Sequence, residues 1–400
     1  MTLLGPYSGG QYDINFWIAW ASQIYVNGFS EVYAAPGNDY MPFFQFALYV
    51  YTKFQGSFKA IQENIGYLKA FPIAFDMLAL WYVYKYIDKR IAFIVLLMLN
   101  MLNLAYIYNS FIWEQFDGVF SALNFIAVYY AWKRKILLSV VFYVISFNMK
   151  VQAIILLPVI GFFYLDHLVA ERSLKALLLP FLSAIAIQFV FLIPFINSSL
   201  GVGAIWHVVF SSVGRYPMIS LNACTFWDLI LPRPEVNLMP DNRMVAGVTF
   251  KTIGLILFFT SSFAALFPLL RILVLKLKNK PSPLIAKSKL LLICGLLYML
   301  FYFFNTQMHE RYAHPAMIFF IAYGFLERKY LLYILFSLAY FFTLERMMHW
   351  LRLKNYFTTI FNPTFIAYLN LVIIVYAFFL LYGRKKGSSV EEEIIKEAVT

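Results

Sequence analysis

Three aspartates stand where a chain could do acid–base chemistry: Asp13 in YDINFWIAW, Asp39 in GNDYMPFF and Asp117 in WEQFDGVF. A carboxylate held within about 3 Å of a hydroxyl can take its proton while the oxygen attacks a carbon centre. Each acid also has a purely architectural reading. Asp13 and Asp117 would N-cap helices starting near Ile14 and Gly118, and Asp39 would form an Asx-type turn ahead of Pro42. Glu114 and Gln115 flank Asp117. The candidate cations are Lys150, with Gln152, in NMKVQA, and Arg311, with His309 and Glu310, in MHERYAHPAM. Such groups can hold a phosphate and stabilise the charge that grows as it departs, or simply snorkel and anchor at a membrane interface. A zinc reading of His309 and Glu310 is poor, because His314 follows five residues later, about 140° around a helix, with Pro315 behind it. Arg215, Tyr216, Asn222 and Trp227 share a long loop that would either cap a cavity with sugar-binding groups or remain a solvated lid. Asp76 lies in an apolar run, where an isolated charge is costly, and Lys69 two turns earlier on nearly the same face is its expected partner.

The elements that must position these residues are membrane helices. The chain has 400 residues, of which 62% are hydrophobic, 20% aromatic and only 13% charged. Apolar runs at about 64–87, 91–108, 118–132, 136–148, 151–165, 174–196, 248–270, 290–304, 316–326, 330–344 and 365–382 predict an all-α, polytopic membrane bundle of ten to twelve helices. The net charge of +12 comes from cations grouped in short connections, which report topology rather than a nucleic-acid partner. Placing the Lys85, Lys89 and Arg90 turn in the cytoplasm puts the basic corners at 133–135, 172–175, 271–289, 328–329 and 384–386 on that same side. Asp13, Asp39, the 113–117 loop, Lys150, the 197–249 loop and 309–315 then all face the other way. Residues 1–63 read as an extracytoplasmic loop with interfacial helices, 64–383 as the bundle and 384–400 as a cytoplasmic tail. The first ten residues are too short and Gly-rich to span. An extracytoplasmic start therefore implies either a translocated tail or a first span ahead of Met1. Cys224 and Cys294 fall in a loop and a span, so no mutual disulfide is expected. There is no Gly-rich phosphate loop, Ser-His-acid arrangement or cysteine metal cluster.

Seven blocks in order, YDINFWIAW, EVYAAPGNDYMPFFQF, LKAFPIAFDMLAL, WEQFDGVFSAL, FNMKVQAIILLP, GRYPMISLNACTFWDL and MHERYAHPAM, resemble the GT-C superfamily of membrane glycosyltransferases, and most of all bacterial relatives of the glycosylphosphatidylinositol mannosyltransferases. The chain departs from that pattern in lacking a first span and in carrying Met41 where relatives usually have a second proline. The resemblance implies a plasma-membrane enzyme that moves a hexose, mannose among the choices, from a polyprenyl-phosphate donor to a hydroxyl of a glycan, lipid or protein, with inversion. It implies Asp13 as catalytic base, with Asp39, Gln115, Asp117, Lys150, Gln152, His309, Glu310 and Arg311 around the substrates. It leaves a divalent metal open, since some relatives hold one on two acids. The rival class is a transporter or flippase of lipid-linked saccharide. Such proteins tend to keep polar groups near the midplane and show internal repeats, whereas here the polar residues gather at one face. A catalytically inert membrane scaffold is a third alternative.

Overall fold

The computed structural model describes residues 11–88, 91–211, 214–231 and 233–383; the first ten residues, Lys89, Arg90 and the 384–400 tail lie outside them. The molecule is an all-helical bundle, with strand confined to two-residue pairs. Its longer helices are α1 (Gln11–Asn27), α2 (Pro42–Gln55), α3 (Ala70–Tyr86), α4 (Phe93–Met101), α5 (Leu104–Ile112), α6 (Asp117–Trp132), α7 (Ile136–Met149), α8 (Val151–Glu171), α9 (Lys175–Phe195), α10 (Gly203–Ser211), α11 (Phe250–Leu277), α12 (Lys287–Phe304), α13 (Ala316–Glu327), α14 (Leu331–Met348) and α15 (Pro363–Tyr382). Among the described residues six of these, α8, α9, α11, α12, α14 and α15, are long and apolar enough to cross a membrane. This makes the chain a multi-pass membrane protein. Ten to twelve spans were expected. Of the remaining helices, α3, α6, α7 and α13 have 17, 16, 14 and 12 residues, short of the roughly 20 that hydrocarbon requires. Helices α6, α12 and α13 are buried almost all round and form the core of the bundle.

The apolar run at 91–108 does not form one straight helix. It breaks between α4 and α5 with a bend of 70°. Asn103 at the break accepts from the Tyr106 amide at 3.3 Å, capping α5, and donates to Tyr333 Oη and Ser337 Oγ at 2.6 and 2.8 Å. A side chain that satisfies both the freed backbone and a neighbouring helix makes such a break tolerable.

The first helices form a separate layer. In α1 Trp17, Trp20, Ala21 and Ile24 are buried while Phe16, Tyr25 and Val26 are exposed, the i, i+3, i+4, i+7 pattern of an amphipathic helix. Pro42 opens α2, and Gly56, at a φ of 67°, ends it in the left-handed conformation open to glycine. Trp17 and Phe44 both meet the Phe116 ring edge-on, at 5.3 and 4.7 Å between centroids, so this layer docks directly beside Asp117.

The ends of the bundle differ in charge. At one end Asp166 receives Arg134 and Lys276, and Lys287 reaches Asp88 and the Trp132 ring. At the other end lie Asp13, Asp117, Lys150 and Arg311. The two cysteines are buried and free.

Candidate functional site

The WEQFDG segment is built around a buried ion pair. After a π-helical turn at Tyr108–Ile112, Glu114 adopts a φ of 61°, a conformation that non-glycine residues rarely hold without support. Support comes from Lys69, whose Nζ lies 3.1 Å from Glu114 Oε1 in a nearly water-free setting. The Gln115 amide then donates to Asn109 O at 2.9 Å. This fixes Gln115 so that its Nε2 donates to Asp13 Oδ2 at 2.7 Å. Asp117 follows as the first residue of α6.

Arg311 joins the acids. Its Nη1 lies 3.6 Å from Asp13 Oδ2 and its Nε 3.4 Å from Asp117 Oδ2, while its guanidinium lies 5.4 Å from the centre of the Trp113 ring. Lys150 donates to the other Asp117 oxygen and lies over the Tyr312 ring at 4.7 Å. The loop that carries Arg311 is held by β1 (Ser220–Leu221) and β2 (Met308–His309), which pair in parallel. Gln307 reinforces this, its amide donating to Met218 O at 3.0 Å and its side chain to Asp241 Oδ2 at 2.7 Å.

Beside this cluster is a cavity of about 280 Å³ lined by Asp39, Tyr40, Lys150, Gln152, Arg215, Tyr216, Lys251, Asn305–Met308 and Arg311, with Ile154, Ile155, Val208, Leu255 and Phe301 among its apolar walls. Arg215 Nε sits 3.3 Å from Asp39 Oδ2. Burial pushes the Asp39 carboxyl above the usual carboxylate range, against the pull of Arg215. Gln152 lines the cavity and makes no side-chain hydrogen bond among the described residues.

Of the residues read from sequence, Asp39, Lys150, Gln152, Arg215 and Arg311 line the cavity, and Asp13, Gln115 and Asp117 stand beside it, joined through Arg311. Several local readings change. Asp13 and Asp117 are not N-caps; they sit inside the first turns of α1 and α6. The Asx-type turn belongs to Asn38, whose side chain accepts from the Tyr40 amide at 3.4 Å. Lys69 pairs with Glu114 rather than Asp76, which accepts from Ser110 Oγ at 2.9 Å. Asn222 is occupied by Asn237, which donates to its side-chain oxygen at 2.9 Å. His309 packs against Tyr216 and Tyr312; burial and the nearby Arg311 and Lys150 lower its pKa to about 3, which favours the neutral imidazole. Glu310 lies 3.7 Å from Arg311 Nη1, and burial raises it to about 7 despite that cation. Lys251 was missed because it has no signature neighbour in sequence, and Tyr40 because only Asp39 beside it was singled out.

A metal fits poorly. Asp117 is taken on both oxygens by cations and shares Arg311 with Asp13, so a dication between the acids would have to displace them. Among the described residues no three His, Cys, Asp or Glu side chains gather to hold one.

Comparison with known proteins gives no family. No family model matches this chain, and no curated protein matches it in sequence. The site's chemistry therefore rests on its own geometry.

Proposed function

We propose that this protein is a GT-C-type glycosyltransferase that moves a hexose from a polyprenyl-phosphate donor to a hydroxyl acceptor at the extracytoplasmic face, with inversion. The observation that carries the reading is the junction at Arg311, where two acids and Lys150 meet beside a cavity with polar cationic groups inside and apolar walls. Two wall residues, Ile154 and Leu255, are themselves 50% and 38% exposed, so the cavity opens onto the lipid-facing flank of the bundle. A lipid-linked donor can keep its chain in the bilayer while its sugar enters. The acceptor is a glycan, lipid or protein hydroxyl.

In this mechanism Asp13 is the base. Both its contacts with Gln115 and Arg311 fall on Oδ2, and its side chain is 30% exposed, which leaves Oδ1 to accept a proton. The acceptor oxygen attacks the anomeric carbon as its proton passes to Asp13 Oδ1. The bond from that carbon to the phosphate oxygen breaks, and polyprenyl phosphate leaves with the electron pair. Gln115 and Arg311 orient the carboxylate, and the cationic lining of the cavity offsets the charge growing on the phosphate. With the acceptor on the Asp13 side of Arg311 and the donor in the cavity, entering and departing oxygens lie on opposite sides of the carbon, as inversion requires.

The test is Asp13→Asn in reconstituted membranes supplied with polyprenyl-phosphate hexose and a hydroxyl acceptor. Removal of a general base is expected to slow transfer roughly 10²–10⁴-fold with the protein still folded. Undiminished turnover would remove Asp13 from the mechanism.

A further inference from the structure

The two residues first expected to grip a phosphate as permanent cations are already engaged, Lys150 by Asp117 and Arg311 by Asp13 and Asp117, and Arg215 of the capping loop is held by Asp39. Lys251 is different. It lines the same cavity from the first turn of α11, is half-buried, and has no ion-pair partner among the described residues. Its backbone amide donates to Asp241 O at 2.9 Å, which fixes where α11 begins.

Leu255, Phe259 and Phe263 follow Lys251 at intervals of four residues, so they form one row along the helix. They are 38%, 63% and 60% exposed. Leu255 lines the cavity as Lys251 does, and Ile154 of α8 lines it as well. Helices α8 and α11 pack together and are tied at the far end by Lys276 and Asp166. An uncompensated ammonium thus heads an apolar row that runs from the cavity onto the lipid-facing flank.

We propose that Lys251 binds the phosphate of an isoprenoid phosphate lipid whose chain lies along the Leu255–Phe259–Phe263 row; only the choice of an isoprenoid over another phosphate lipid rests on the function proposed above. An anion arriving at Lys251 meets a charge that no carboxylate has neutralised, whereas one binding to Lys150 or Arg311 must compete with Asp117 and Asp13. The chain stays in an apolar environment throughout.

The experiment measures binding of radiolabelled farnesyl phosphate to the full chain in phosphatidylcholine nanodiscs, with farnesol, inorganic phosphate and phosphatidylglycerol as competitors. Lys251→Gln is expected to weaken binding at least tenfold and Lys251→Arg less than threefold. Leu255→Glu, which leaves Lys251 in place, is expected to weaken it at least tenfold as well. None of the three competitors should displace the probe at equal concentration. Unchanged binding in Lys251→Gln overturns the proposal. Equal displacement by inorganic phosphate points to a free-phosphate site, and equal displacement by phosphatidylglycerol to a general lipid site, and either overturns it too. No sugar or acceptor is present, so Lys251-dependent binding in a protein that transfers nothing would uphold this site while refuting the transferase.

Discussion

Asp117 holds two cations with one carboxylate and is only 2% exposed. Its removal leaves Lys150 without a carboxylate partner and Arg311 with Asp13 and Glu310 alone. Breaking a buried pair from one side costs about 3–5 kcal/mol, much more than the pair adds over an apolar replacement. Asp117→Asn is therefore expected to lower the thermal unfolding temperature in detergent clearly, and Lys150→Gln added to it should cost less than the two single changes summed. Strict additivity would mean that the two groups do not sense each other. Glu310 supplies a pH dependence. Its folded pKa is raised from 4.5 to about 7, chiefly by burial, so the folded protein holds a proton there that the unfolded chain has released. That contribution to stability is complete below about 4.5 and is lost as pH rises toward 7, a change of about 3 kcal/mol across the window. Glu310→Gln, which cannot ionise, should flatten that part of the stability profile measured by thermal unfolding between pH 4.5 and 7.5. An unchanged profile would show that Glu310 ionises at the same pH in both states.

At the level of elements, the site depends on how closely α6 approaches α3. A Cβ on Gly118 would lie 2.2 Å from Asp76 Oδ1, so the glycine after Asp117 is there for clearance. Gly118→Ala must push Asp76 away from Ser110 or shift the start of α6, and overpacking of this kind costs about 1–3 kcal/mol. The expected result is a lower unfolding temperature together with reduced transfer, because Asp117 is the adjacent residue; wild-type values for both would show that the contact relaxes freely. The same neighbourhood explains which part of the site was legible. Asp13, Asp117, Lys150 and Arg311 were readable because each stands at the edge of an apolar run, where a charged residue is conspicuous. The Lys69–Glu114 pair was not, because its members are 45 residues apart. Lys69 also belongs to the 3₁₀ turn Ile65–Lys69 rather than to α3, so counting helical turns from Asp76 assigned it a face it does not have. The α4–α5 break was hidden for a similar reason: its cap, Asn103, draws its partners from α14.

Over the whole molecule, charge distribution was the most legible property, because basic corners repeat along the chain while packing partners do not. The structure brings Arg134 and Lys276, from two of these corners, onto Asp166 and ties Lys287 to Asp88, and it brings Trp113 and Arg311 together at the opposite end. If the positive-inside rule sets the orientation, these ends face opposite compartments, which labelling can decide. Native Cys224 and Cys294 are both fully buried, so they give little background to a membrane-impermeant maleimide. Leu200 and Leu284 are 55% and 74% exposed; Leu200 follows α9 at the Arg311 end, and Leu284 lies between α11 and α12 at the basic end. In intact cells Leu200→Cys should react at once, and Leu284→Cys only after the membrane is permeabilised. Reaction of both from outside would place the two ends in one compartment, contrary to a bundle that crosses the membrane between them. Reaction of Leu284→Cys alone would preserve the bundle but turn Asp13, Arg311 and the cavity toward the cytoplasm, which would refute transfer at the outer face while leaving the lipid-phosphate site at Lys251 to its own test.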